Sequence, residues 1–112
     1  MIIALFKSKF RDDLKGTDEE QAYKQAARSL TAQASAANGF VSADTFTGRS
    51  GAVLSVVRFE STETLAEWRN DPEHLAAQKQ GRETWYSSYS VEVCELTRAY
   101  EFDRASEETG IS

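Results

Sequence analysis

The sequence predicts an α+β fold in which two helices cover one face of a four-stranded antiparallel sheet. Three observations predict it. Four β-rich apolar runs and two stretches with helical signals alternate in the order strand, helix, strand, strand, helix, strand. The two middle strands are joined by a short loop flanked by glycines, which reads as a hairpin. The length, 112 residues, suits one core and not two.

Residues 1–10, MIIALFKSKF, form an apolar, β-rich first strand, and RDDLKGT is a polar loop. Thr17 stands three residues before Glu20, the spacing of a capping box that starts a helix. From there to about Ala37, the residues Ala22, Tyr23, Ala26, Leu30, Ala34 and Ala37 recur mostly at three- and four-residue intervals, an amphipathic stripe with one large aliphatic side chain. Asn38-Gly39 ends this helix, because both residues tolerate the left-handed conformation. Phe40 to Thr47 and Ala52 to Glu60 are the hairpin strands. Ser61 caps a short helix, Thr62 to Asn70, and Asp71-Pro72 restarts it with a good N-cap and a proline at the first helical position. The second segment is expected to run from Pro72 to about Tyr89, with Leu75, Gln78, Gly81, Trp85 and Tyr89 along it, and Val91 to Phe102 is expected as the last strand. The domain therefore spans 1–104, and 105–112 read as a polar tail. The βαββαβ order is the ferredoxin-like split arrangement.

Composition narrows the partners. Eighteen acids against thirteen bases give a net charge of −5, which argues against nucleic acid or an anionic membrane, since both need clustered Lys and Arg. No segment approaches the ~20 apolar residues of a membrane span. The N-terminus has no basic segment followed by a signal-like apolar run, so the cytoplasm is the expected location. Cys94 is the one cysteine; no Cys/His cluster suits a metal.

The strands point to a second copy of the chain. A sheet with one wet face alternates apolar and polar residues, and these strands do not. Ile2, Ala4 and Phe6 oppose Ile3 and Leu5; Ala52, Leu54 and Val56 oppose Val53, Val57 and Phe59; Val91 and Val93 oppose Cys94, Leu96, Tyr100 and Phe102. Helices cover one parity. The other would leave an apolar patch beyond what monomers expose, and a two-fold symmetric homodimer is the commonest cover.

Trp68-Arg69-Asn70-Asp71-Pro72-Glu73-His74, then Ala77-Gln78, Gly81-Arg82 and Trp85-Tyr86, resemble the antibiotic biosynthesis monooxygenase superfamily. The opening MIIALFKSKF, the Asn-Gly-Phe turn before the second strand and Arg98-Ala99-Tyr100 fit the same pattern, so the resemblance runs from residue 1 to about 104. It implies a dimeric α+β barrel with one pocket per subunit between sheet and helices. Some members of the superfamily oxygenate phenols, anthrones or quinols without metal or flavin; others bind and degrade haem. Fold follows from membership far better than chemistry does.

The resemblance places Trp68 on the pocket wall; the plainer reading is a core anchor for its helix. His74, the only histidine, has an ordinary pKa near 6.5, which makes it the natural proton acceptor at neutral pH. Its place in the first turn after Pro72 disfavours the charged ring. The alternative is a half-exposed residue at a helix start. Arg82, Trp85, Tyr86 and Tyr89 form a polar-aromatic group in which Arg82 could hold a phenolate or carboxylate and the rings could stack on a planar ligand, with Phe6 in the same cavity. The alternative is a solvent-paired Arg82 over core aromatics. Haem-degrading relatives carry an Asn late in the first strand and a His about ten residues after the Trp. Here the strand position holds Phe6 or a neighbour, and Gln78 stands ten residues after Trp68; Gln is not a normal axial ligand. The expected function is a cofactor-independent monooxygenase of a small planar aromatic, with His74 and Trp68 catalytic and Arg82, Trp85, Tyr86 and Phe6 binding. The alternatives are a haem-binding monooxygenase and a non-catalytic dimeric ligand-binding module.

Overall fold

The computed structural model describes residues 1–105 and the backbone of Glu108–Gly110. Strand β1 (Ile2–Phe10) leads through a polar loop to helix α1 (Asp18–Ala36), then to the hairpin of β2 (Phe40–Thr47) and β3 (Val53–Phe59). Helices α2 (Thr62–Arg69) and α3 (Pro72–Gln80) follow, then a π-helical turn (Gly81–Trp85) and strand β4 (Tyr86–Glu95). The sheet is antiparallel in the order β2-β3-β1-β4. This is the expected ferredoxin-like α+β architecture.

The local signals act much as their chemistry dictates. Thr17 caps α1 by accepting from Glu20 N, but the Glu20 carboxylate reaches back to Gly16 N at 3.2 Å rather than to the cap's own N–H. Gly16 has φ +82, which turns its N–H into that position. The Ser61–Thr64 box is reciprocal, at 3.2 and 3.3 Å. Asp71 accepts from Glu73 N at 2.9 Å with Pro72 at the helix start, so the break between α2 and α3 is the expected one. At Gly39 (φ +75) a Cβ would sit 2.5 Å from Thr64 Oγ1, so the turn after α1 also sets how closely α2 approaches.

The C-terminal third departs from expectation. The helix does not reach Tyr89: α3 stops at Gln80, the turn widens through Trp85, and β4 starts at Tyr86. The four-residue step from Trp85 to Tyr89 suits a helix, but Tyr86–Val93 is rich in β-formers and has the whole length of β1 to pair with. Strand β4 also ends early, at Glu95 instead of Phe102. Its neighbour β1 starts at Ile2, opposite Glu95, and Leu96 N makes one last bond to Met1 O at 3.0 Å. Beyond that no strand remains to pair with. The chain then forms a short hairpin of β5 (Glu101–Asp103) and β6 (Glu108–Gly110). Ser106, Glu107, Ile111 and Ser112 of the expected polar tail lie outside the described residues. The radius of gyration, 16.0 Å, exceeds the ~13 Å of a compact chain this long.

Register separates the two faces. Ala4 pairs with Val57 and Val93, and Phe6 with Ser55 and Val91, on the helix side. Ile3 pairs with Arg58 and Cys94, and Leu5 with Val56 and Glu92, on the other. The outer face thus has a half-buried aliphatic centre of Ile3, Leu5, Leu54 and Val56, fringed by Lys7, Arg58 and Glu92. The core is small: Ala4, Phe59 and Leu65, with Ile2, Phe40, Val57 and Trp68 against it.

Candidate active site between sheet and helices

A cavity of about 260 Å³ separates the helices from the sheet. Its floor is Ala4, Phe6, Val57, Val91 and Val93. Helix α1 supplies Tyr23, Ala26 and Leu30; α2 and α3 supply Leu65, Trp68, Arg69, His74 and Gln78; the π-turn and β4 supply Trp85, Tyr86 and Tyr89. The lining is mostly apolar, so polar groups on it are few and their pairing matters.

At one end, Trp68 stacks on the fully buried Phe59 with centroids 5.4 Å apart and touches His74 at 4.4 Å. Trp68 is therefore both core anchor and wall. Burial lowers the His74 pKa below its ordinary value, against smaller opposing effects of the Arg69 carbonyl and Asp71. Its Nδ1 is buried without a hydrogen-bond partner. A neutral ring with one nitrogen free to accept is the form a general base needs.

The other end is aromatic. Phe6 meets Tyr86 at 5.7 Å and Tyr89 at 5.3 Å, and Phe10 lies 5.5 Å from Tyr86. Two backbone features build it. A bulge in β4 sets Phe10 opposite Tyr86 while Lys9 pairs with Ser88, and Ser87 Oγ bonds Lys9 O at 3.1 Å. The extra residue puts Tyr86 and Tyr89 on one face, although their numbers have opposite parity. At the buried Gly81 a Cβ would lie 2.5 Å from Tyr86 Cε2, so the Tyr86 ring occupies the space a side chain would take. Burial raises the Tyr86 pKa, and the Tyr23 and Tyr89 phenols raise it further; burial raises Tyr23 as well. Both are neutral phenols at physiological pH.

Of the residues singled out from sequence, Phe6, Trp68, His74, Trp85 and Tyr86 line the cavity. Arg82 does not. It is exposed, and its Nη1 donates to Tyr89 Oη at 3.1 Å, behind the wall. Arg69 is a wall residue that the motif holds beside Trp68 without marking it as one, and Tyr23 is a wall residue whose signal in the sequence is that it is the one aromatic of the α1 stripe.

Residues 1–80 match the family model for antibiotic biosynthesis monooxygenase. The chain belongs to this family. Its monooxygenase-family fold recurs in solved structures: the Mycobacterium tuberculosis protein Rv0793 superposes with a TM-score of 0.72 at 19% identity, over 88% of this chain and 96% of that one. A Bacteroides fragilis protein described as dimeric, ferredoxin-like and of unknown function gives 0.65 at 16% identity, over 85% of this chain and 95% of its own. In sequence, the Bacillus subtilis protein YqjZ, uncharacterised, is 28% identical over 82 residues, 73% of this chain and 72% of that protein. The family match ends one residue before Gly81, so it takes in the His74 end of the cavity and, of the aromatic end, Phe6, Phe10 and Tyr23 but not Trp85, Tyr86 or Tyr89.

Proposed function

We propose that the protein is a cofactor-independent monooxygenase that uses O₂ on a small, planar, electron-rich aromatic of the quinol, phenol or anthrone type. The observation that carries this is His74: a half-buried imidazole whose pKa burial lowers and whose buried Nδ1 has no hydrogen-bond partner, on the wall of an apolar cavity and against Trp68. His74 takes the acidic proton of the bound substrate. The resulting anion gives one electron to O₂, the radical pair combines as a carbon-bound peroxide anion, and His74 returns its proton to give the hydroperoxide. At the CH₂ of an anthrone, or at a ring C–H ortho or para to the hydroxyl of a phenol or quinol, loss of water leaves a carbonyl, so one oxygen atom enters the product and one leaves as water. The substrate supplies the electrons; the protein supplies desolvation, orientation and the base.

Two observations weigh against haem. The cavity is smaller than the ~300–1,000 Å³ of pockets for drug-sized ligands, and a tetrapyrrole is larger than these. On the lining, the residue ten after Trp68 is also Gln78, which is not a normal axial ligand.

The test is oxygen uptake over a panel of quinols, phenols and anthrones. Uptake should fall by roughly 10²–10⁴-fold in His74→Ala, the usual contribution of general base catalysis. Absence of uptake across the panel overturns the proposal and leaves a ligand-binding module. A second copy as the cover for the Ile3–Leu5–Leu54–Val56 face belongs to the same reading, supported by the apolar centre and charged fringe of that face. Sedimentation as a single subunit at micromolar concentration would refute it. Among the described residues no helix is long and apolar enough to cross a membrane.

A further inference from the structure

We infer that the His74 end of the cavity receives a hydroxyarene carrying a carboxylate on the carbon next to its hydroxyl. This deepens the monooxygenase reading by naming a substrate class, and it rests on that reading only for the choice of site.

Three polar groups at this end lack partners. Trp68 Nε1 is a buried donor with none, and an indole N–H can only donate. His74 Nδ1 is buried and also unpartnered. Arg69 lines the cavity, and among the described residues no carboxylate forms an ion pair with its guanidinium. The two donors call for one acceptor, best an anion, because a planar guanidinium binds carboxylate with two parallel bonds. The neutral imidazole nitrogen calls for an O–H. A carboxylate and a hydroxyl on adjacent ring carbons present both together.

The rest of the cavity fixes the ligand's direction and size. The Tyr86 end offers ring edges, neutral phenols and one unpartnered indole N–H, Trp85 Nε1, with no cation on the lining there, so the arene body lies that way and the anion lies toward Arg69. A volume of about 260 Å³ suits one or two fused rings. In this pose the hydroxyl lies beside His74, and binding of the carboxylate by Arg69 and Trp68 competes with its internal hydrogen bond from that hydroxyl, which releases the proton whose removal starts oxidation. The carboxylate is a handle that sets the ring carbons relative to the base.

The experiment is calorimetric titration at pH 7 with 1-hydroxy-2-naphthoate, 1-naphthol and 2-naphthoate, with oxygen uptake followed on the same samples. The hydroxynaphthoate should bind ~10-fold or more tightly than either single-function analogue, the size of effect a charge-assisted contact gives. Arg69→Gln should reduce its affinity to that of 1-naphthol, and Arg69→Lys should keep part of the advantage. Arg69 is exposed, so both variants should keep the wild-type circular dichroism. Trp68→Phe should weaken the carboxylate-bearing ligands several-fold more than it weakens 1-naphthol. Equal affinity for all three compounds overturns the inference, as does an Arg69→Gln or Trp68→Phe variant that binds like wild type. Selective binding without oxygen uptake would remove the monooxygenase reading and keep this one. Uptake from plain naphthols with no carboxylate preference would do the reverse.

Discussion

The two ends of the cavity are built by different means. At the His74 end, regular helices hold the groups: Asp71-Pro72 starts α3 so that His74 falls in its first turn, and Trp68 is fixed by stacking on Phe59. At the Tyr86 end, two irregularities hold them, a π-turn at Gly81 and a strand bulge at Ser87. The first end offers a base and a cation, Arg69; the second offers rings and one unpartnered indole N–H, Trp85 Nε1. Regular elements place chemistry through caps and spacing, while irregular ones shape a wall by moving a side chain from one face to another.

The comparison is broken most strongly at Phe59. Phe59→Ala removes a fully buried ring beneath Trp68 and should cost about 3–5 kcal/mol in urea unfolding, with loss of any His74-dependent uptake. A cost under about 1 kcal/mol would mean that Trp68 is held by something else. Next is Gly81→Ala, which puts a methyl into the Tyr86 ring. It should destabilise by about 1–3 kcal/mol, the range for overpacking, and weaken aromatic ligands while sparing the pH profile.

The pH profile tests the other end. His74 has a lowered folded-state pKa, so between that value and 6.5 the unfolded chain binds more protons than the folded one. Stability from this site is therefore full above pH 6.5 and is lost as pH falls through the folded pKa. His74→Gln should flatten that part of the stability curve, and the acid limb of kcat/KM in wild type should lie below 6.5. An acid limb above 6.5 would contradict a buried neutral base. The smallest effect belongs to Tyr89→Phe, which removes the bond from the exposed Arg82; about 0.5 kcal/mol is expected, and Arg82→Ala should add little to it in a double-mutant cycle.

The same division governs what could be read from sequence. Sheet composition, the hairpin, the Ser61 cap and the Asp71-Pro72 restart follow from local chemistry and were legible. The motif named both Trp68 and His74, but six residues with a proline between them do not say that the two rings meet on one wall. The aromatic end was named by residue but placed on the wrong element, because Trp85 and Tyr89 mimic a helical step and a bulge leaves no mark in hydrophobic periodicity. Arg82 was expected in the cavity for the same reason: on a continued helix it would share a face with Trp85 and Tyr89. Arg69 went unread as a wall residue since an arginine at a helix end is ordinarily solvent-facing.

The extra residue at Ser87 also has a bearing on how this chain tolerates change. It divides β4 into a segment locked in step with β1 from Ser88 onward and a lead-in tied to the preceding turn. Lengthening or shortening the link after α3 by one residue can be taken up at this joint, leaving Val91 and Val93 aimed as before while only Tyr86 is re-aimed. The aromatic lip of the cavity can thus be re-cut by insertion or deletion without unzipping the sheet beneath it.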